Sequence, residues 1–305
     1  PVHEMRELSA EIIRGEVSRL CREANLRLPD DISCALREAQ RTEPWPVAKD
    51  TLGVLCDNIC AAKESGLPVC QDTGMACVFL EIGQDVHITG DLYSAINAGV
   101  ADGYVEGYLR KSVVADPLRR VNTDNNTPAL ITIDLVPGDK VKLTVAPKGF
   151  GSENMSRLKM LKPADGAEGV KDFVIETVKL AGANPCPPVI LGVGIGGSFD
   201  KVAQLAKHAL LRPIDQPNPD EYYAAMEREL LELLLFKLEE EQLVLAAGRT
   251  RWLAHATREV EFVMEQIRTT EVLRAAEVDA VAAELEIEPA PSLNALAAAA
   301  PEPWG

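Results

Sequence analysis

Two cysteines on loops are the residues of this chain best equipped for chemistry. Cys70 lies in Gly66-Leu-Pro-Val-Cys-Gln-Asp-Thr-Gly74 and Cys186 in Ala183-Asn-Pro-Cys-Pro-Pro188. Cys70 is followed directly by Gln71, Asp72 and Thr73, so one turn offers a soft thiolate, an amide, a carboxylate and a hydroxyl. Thiolates on Pro- and Gly-rich loops suit soft iron, but a cuboidal iron–sulfur cluster takes at least about three of them. No cysteine follows residue 186.

Three further loops could meet a ligand. Lys148-Gly-Phe-Gly-Ser-Glu-Asn-Met-Ser156 follows a strand-like run; its glycines permit close backbone approach, and Ser152, Glu153 and Asn154 add polar groups. Asn122-Thr-Asp-Asn-Asn-Thr-Pro128 is polar, and alone it would be only a turn. Gly192-Val-Gly-Ile-Gly-Gly197 satisfies G-x-G-x-x-G between apolar Val189-Ile-Leu191 and a helical stretch. A dinucleotide site also needs a following strand that ends in an acid, whereas Leu211-Arg-Pro-Ile-Asp215 runs into Pro217-Asn-Pro219. The nucleotide reading is therefore disfavoured, while a helix N-terminus behind glycines keeps a capacity for anions.

The elements that must carry these loops follow from periodicity. Apolar residues at spacings of three and four (Leu8, Ile12, Ile13, Val17, Leu20), broken at Pro29 and Pro46, predict a helical scaffold over residues 1–65. Strands are expected at 76–82, 128–136 and 140–145, the last two joined as a hairpin by Pro137-Gly-Asp139. Helical patterns at 91–110, 168–181 and 199–211 alternate with them. The expected fold is mixed α/β: a helical N-terminal region on a mixed sheet with Gly-rich ligand loops over 66–227, then an all-helical acidic arm over 228–305.

Charge and cysteine usage narrow the function. With 31 Lys and Arg against 47 Asp and Glu, a net charge of −16 disfavours nucleic-acid backbones and gives no steering towards anionic membranes, so an anionic substrate needs a local cluster of cations. The N-terminus lacks the pattern of a signal peptide and no run approaches the length of a membrane helix, which points to a cytoplasmic protein. Seven unevenly spaced cysteines predict reduced thiols rather than a disulfide framework. Cys21, Cys34, Cys56, Cys60 and Cys77 are expected to behave as small buried hydrophobes.

Taken together and in order, Pro68-Val-Cys-Gln-Asp-Thr-Gly74, Asn122 to Pro128, Lys148 to Asn154, Ala183 to Pro188 and Gly192 to Ser198 resemble the α-type catalytic region of class I fumarases and L-tartrate dehydratases over residues 5–227. The resemblance implies a hydro-lyase acting on a four-carbon dicarboxylate, with a 4Fe–4S cluster held by three cysteines and a β-type subunit or domain completing the site; a homo-oligomer is a further expectation. It implies Cys70 and Cys186 as two cluster ligands, with Ser152 and Asn154 beside the cofactor. Gln71 and Arg110 would bind substrate carboxylate, with backbone donors at Gly149 and Gly151, and Arg110 is favoured by its planar donor fork. Asp72, with Thr73, would serve proton transfer at the reacting carbon. Fumarate and tartrate would use the same carboxylate-binding logic.

Beyond residue 227 the pattern departs from that family, which continues into a Gly-rich segment, a histidine-bearing strand and the segment with the third cysteine. None of these occurs here. Residues 229–242 and 251–268 instead resemble a FlgN-type flagellar export chaperone, a helical partner-binding family. Residues 228–305 hold seven Lys and Arg against fifteen Asp and Glu, consistent with solvated helical faces, and the Ala/Pro-rich end from Glu288 is expected to be loosely ordered. The expectation is a chimeric chain with little hydro-lyase turnover of its own; the alternative is a non-catalytic fusion whose helical arm binds partner helices.

Overall fold

The computed structural model describes residues 5–246 except Pro187, with side chains as far as residue 235. Two units partition the chain, Pro1–Met226 and Glu227–Gly305. The first opens with a short strand, β1 (Arg6–Ser9), which pairs in parallel with β3 (Val86–Thr89). Neither strand announces itself in the sequence, because four residues carry too little periodicity. Helix α1 (Ala10–Leu26) starts where Ser9 accepts a hydrogen bond from the Glu11 amide at 3.2 Å. Its Ile13, Val17 and Cys21 recur every four residues and are buried on one face. Helix α4 (Leu92–Glu106), capped by Asp91 on the Ser94 amide at 3.0 Å, supplies the facing row Ile96, Val100 and Tyr104, each fully buried.

These two helices cover one face of a three-stranded sheet. Strand β2 (Met75–Gly83) is its centre, parallel to β4 (Leu130–Val136) on one side and antiparallel to β5 (Val141–Lys148) on the other. Val78 opposes Ile131 and Val145, and Leu80 opposes Ile133 and Leu143, which sets the apolar residues of all three strands on the face towards α1 and α4. The strands fall where their periodicity places them, but the expected β4–β5 hairpin does not form. The Pro137–Lys140 turn instead passes over the end of β2, where Gly83 donates to Lys140 O at 2.8 Å and Asp85 to Gly138 O at 3.0 Å. The physical reason is that β2 is buried along nearly its whole length and takes the central place, pushing its two partners apart.

Helices α2 (Asp30–Thr42) and α3 (Pro46–Ser65) pack on each other and contribute only Ala62 to the interior. This corrects the expectation for three cysteines. Cys34 and Cys60 are exposed and Cys56 is half-buried, because the outward faces of α2 and α3 have no cover among the described residues; Cys21 and Cys77 are buried as expected. After β5 come the single turn α5 (Phe150–Glu153), then α6 (Gly166–Ala181), α7 (Phe199–Ala209) and α8 (Glu221–Ala246). No described helix is long and apolar enough to cross a membrane. Most of the expected helical arm, with the loosely ordered Ala/Pro-rich end, lies outside the described residues.

Candidate functional site

The loop that leaves α3 is pinned before it reaches Cys70: the Val69 amide donates to Asn25 O at 2.9 Å, and Asn58 Nδ2 donates to Val69 O at 2.7 Å. Cys70 and Gln71 follow, both exposed. Asp72 turns inward, and its carboxylate accepts from two backbone amides, Gly74 at 3.1 Å on Oδ1 and Phe150 at 3.1 Å on Oδ2. Two amide donors of this kind fix the direction of the carboxylate. Thr73 lies beneath the surface at 2 % exposure, its hydroxyl donating to Arg110 O at 3.1 Å while its carbonyl accepts from Tyr104 Oη at 2.8 Å. Gly74 has φ +64°, and a Cβ there would lie 2.4 Å from Lys148 O, so only glycine lets the Asp72 loop lie this close to the end of β5.

Arg110 sits just beyond α4, exposed, and its guanidinium has no hydrogen bond or ion pair among the described residues. Its carbonyl is held by Thr73, and Ser112 and Val113 just after it by a residue that sequence reasoning missed. Asn126 is fully buried; its Oδ1 accepts from the Ser112 amide at 2.8 Å and the Val113 amide at 3.1 Å, and its Nδ2 donates to Gly74 O at 2.9 Å. One amide side chain thus ties the Arg110 turn to the Asp72 loop. The polar loop Asn122–Pro128 is therefore a brace, and the available signal was an asparagine in a turn, a residue type that tolerates the positive φ of 61° found here.

The second side of the site is the turn after β5. Gly149 caps α5, whose Phe150 amide points at Asp72. Lys148 Nζ donates to Ser152 Oγ at 2.7 Å, and Ser152 Oγ donates to Gly149 O at 3.1 Å. Glu153 lies between two ammonium groups, Lys207 of α7 at 2.5 Å and Lys148 at 3.4 Å. Burial alone would push its carboxyl up; the two lysines outweigh that and hold it below the usual carboxylate range. Asn154 ends the turn with its amide on Phe150 O. A Cβ on Gly151 would lie 3.4 Å from Asn184 O, so the loop carrying exposed Cys186 reaches this turn.

Asp72, Thr73, Arg110, Gly149, Ser152 and Asn154 are thus linked through hydrogen bonds or adjoining backbone, with Gly151 beside the Cys186 loop. Among the described residues, no group of three or more His, Cys, Asp or Glu is assembled to hold a metal ion. The other cysteines offer no substitute ligand: burial raises the Cys21 thiol to about 12, and burial also raises that of Cys77 beneath Lys207, Glu153 and Lys148. Cys34, Cys56 and Cys60 lie on α2 and α3. An open hollow of about 370 Å³ between the starts of α1 and α4, lined by Ser9, Arg14 and Asp91 among others, shares no residue with the site. Chemically, the arrangement offers an oriented carboxylate, an uncommitted guanidinium nearby in the chain's fold, and exposed thiol and amide groups at one rim.

Residues 14–235 match the family described as Fumarate hydratase (Fumerase), and residues 225–304 match the family described as FlgN protein. A protein of Methanocaldococcus jannaschii, provisionally named L(+)-tartrate dehydratase subunit alpha, is 44% identical over 227 residues, covering 72% of this chain and 79% of its own length. The L(+)-tartrate dehydratase subunit alpha of Escherichia coli (strain K12) is 34% identical over 210 residues, 68% of this chain and 69% of its own, and that of Shigella sonnei gives the same values.

Proposed function

We propose that this chain, which belongs to the fumarate hydratase family, is an α-type hydro-lyase polypeptide that handles a four-carbon dicarboxylate such as tartrate, malate or fumarate. The observation that carries the reading is the Asp72 carboxylate, aimed by the Gly74 and Phe150 amides, on the loop tied to Arg110 through Thr73. In this reading Arg110 and Gln71 bind the substrate carboxylates, the forked guanidinium giving two parallel donors, while Asp72 takes or returns the proton at the carbon next to the departing hydroxyl. Thr73 acts from below, holding Asp72 and Arg110 at a fixed separation. Gly149 and Gly151 keep the turn open for backbone contact with substrate, and Ser152 and Asn154 line its far side.

The family resemblance carries a 4Fe–4S cluster with it, and the residues present do not fit that group. Cys70 and Cys186 are two exposed thiols, and no third ligand joins them among the described residues. The relatives are named as α subunits, which supports a β-type partner subunit for this chain as well. The FlgN match supports a second reading for residues 225–304, a helical module that binds partner helices. Because the two matches overlap at 225–235, the join of a chimeric chain would fall there.

The test is anaerobic reconstitution of the full chain with iron and sulfide beside a β-type subunit, followed by assay with L-tartrate, malate and fumarate. The expected result is substrate-dependent protection of the Asp72 loop from hydrogen exchange with little turnover. Robust turnover on a stable four-iron cluster would overturn the incomplete-site reading, and absence of any dicarboxylate effect would overturn the dicarboxylate reading.

A further inference from the structure

Glu153 belongs to a motif whose glycines, serine and asparagine have been given roles, while its own carboxylate has none. That carboxylate is unusual in its setting. Its side chain is 26% exposed, its Oε2 is buried without a hydrogen-bond partner, and its charge is met by Lys207 at 2.5 Å and Lys148 at 3.4 Å, themselves 28% and 17% exposed. A part-desolvated charge between two opposite ones is held more tightly than a surface pair, because less water screens it.

The two lysines come from different parts of the site. Lys148 ends β5, immediately before the turn whose Phe150 amide orients Asp72. Lys207 lies on α7, and α7 is the surface on which the segment after Cys186 rests: a Cβ on Gly192 would lie 2.3 Å from Ala206 O, and one on Gly194 2.4 Å from Val202 O. Contacts this short admit no side chain, so the glycines that look like a nucleotide fingerprint serve close packing against α7.

We infer that Glu153 is a positioning residue that couples the Asp72 loop to the segment following Cys186, through Lys207 and α7. The coupling stands on contacts alone; its relevance to catalysis rests on the dicarboxylate reading of Asp72 given above. Neutralising Glu153 leaves two part-buried ammonium groups facing each other, which loosens both the turn and α7.

Hydrogen exchange on the full chain without iron or substrate tests this, comparing wild type, Glu153→Gln, Lys207→Met and the double variant. The expected result is an increase of about tenfold in exchange over residues 148–156 and over the hydrogen-bonded amides of α7 in each single variant, with the double variant no faster than the faster single one. A response of Glu153→Gln confined to 148–156, or additive effects in the double variant, would overturn the coupling. Should Glu153→Gln fail to fold, Lys207→Met reads the same bond from the α7 side, and an unchanged 148–156 in that variant also overturns it. A parallel run with L-tartrate separates the two ideas: loss of tartrate protection at 70–74 in wild type defeats the dicarboxylate reading and leaves the coupling to stand or fall on the exchange data.

Discussion

The two faces of β2 solve different problems with alternate residues of one strand. Ala76, Val78, Leu80 and Ile82 face α1 and α4 in an apolar layer, with Val78 and Leu80 at 0% and 1% exposure. Cys77 and Phe79 face the other way, beneath Lys148, Glu153 and Lys207 and against His208, whose ring meets Phe79 edge-on at 4.9 Å. One face is held by area removed from water, and the other by a few charges with specific partners. The first kind tolerates no loss of volume; the second tolerates no loss of a partner. The contrast teaches why the candidate site sits on loops at the sheet's end: the apolar face makes the platform rigid, and the polar face adjusts which loop lies where.

The largest contrast to test is kinetic. Burial raises the Cys21 thiol from 9.0 to about 12, so its thiolate fraction is about a thousandfold below that of an ordinary thiol. Alkylation at pH 8 followed by mass spectrometry should label exposed Cys34, Cys60, Cys70 and Cys186 early and reach Cys21 and Cys77 only on unfolding. Early labelling of Cys21 would mean that the α1–α4 layer is open.

In equilibrium stability the biggest change should come from the apolar face. Leu80→Ala is expected to cost about 3–4 kcal/mol in urea unfolding, while Leu135→Ala, at 73% exposure, should cost under about 0.5 kcal/mol. Similar losses in the two would break the comparison. Asn126→Ala follows at about 3 kcal/mol, because the Ser112 and Val113 amides lose their acceptor in a buried position.

The polar face should announce itself through pH. The native Glu153 carboxyl lies below its ordinary value of 4.5. Its stabilisation is therefore fully present above about 4.5 and is lost as pH falls through the lowered native value. Glu153→Gln should flatten that part of the acid limb in thermal unfolding followed by circular dichroism; an unchanged slope would remove Glu153 from the account. The smallest effect is expected for Lys142→Ala. Its pair with Glu81 joins side chains 69% and 36% exposed, and such a pair contributes under about 1 kcal/mol.

What could be read in the sequence was local. Strands β2, β4 and β5 and helices α4, α6 and α7 follow from runs of period two and 3.6, and the loop residues 70–74 and 148–154 stand out by composition. What escaped depends on distant partners. Strand order depended on how thoroughly β2 is buried, and the exposure of Cys34 and Cys60 on what covers α2 and α3. The function of Asn126 needed an acceptor contact fourteen residues away and a donor contact across 52 residues. Lys207 lies 54 residues from Glu153, and no spacing rule joins them.

Arg110 has a consequence of another kind, for encounter rates. The chain as a whole carries −16, so a doubly charged anion drifting towards it meets repulsion until it comes within reach of the Arg110 guanidinium. Dissolved salt shortens the range of both fields, to about 8 Å at physiological ionic strength. The long-range repulsion fades first. Capture of a dianion by this surface should therefore quicken as salt is added at low ionic strength, the reverse of the behaviour of a basic protein meeting the same anion.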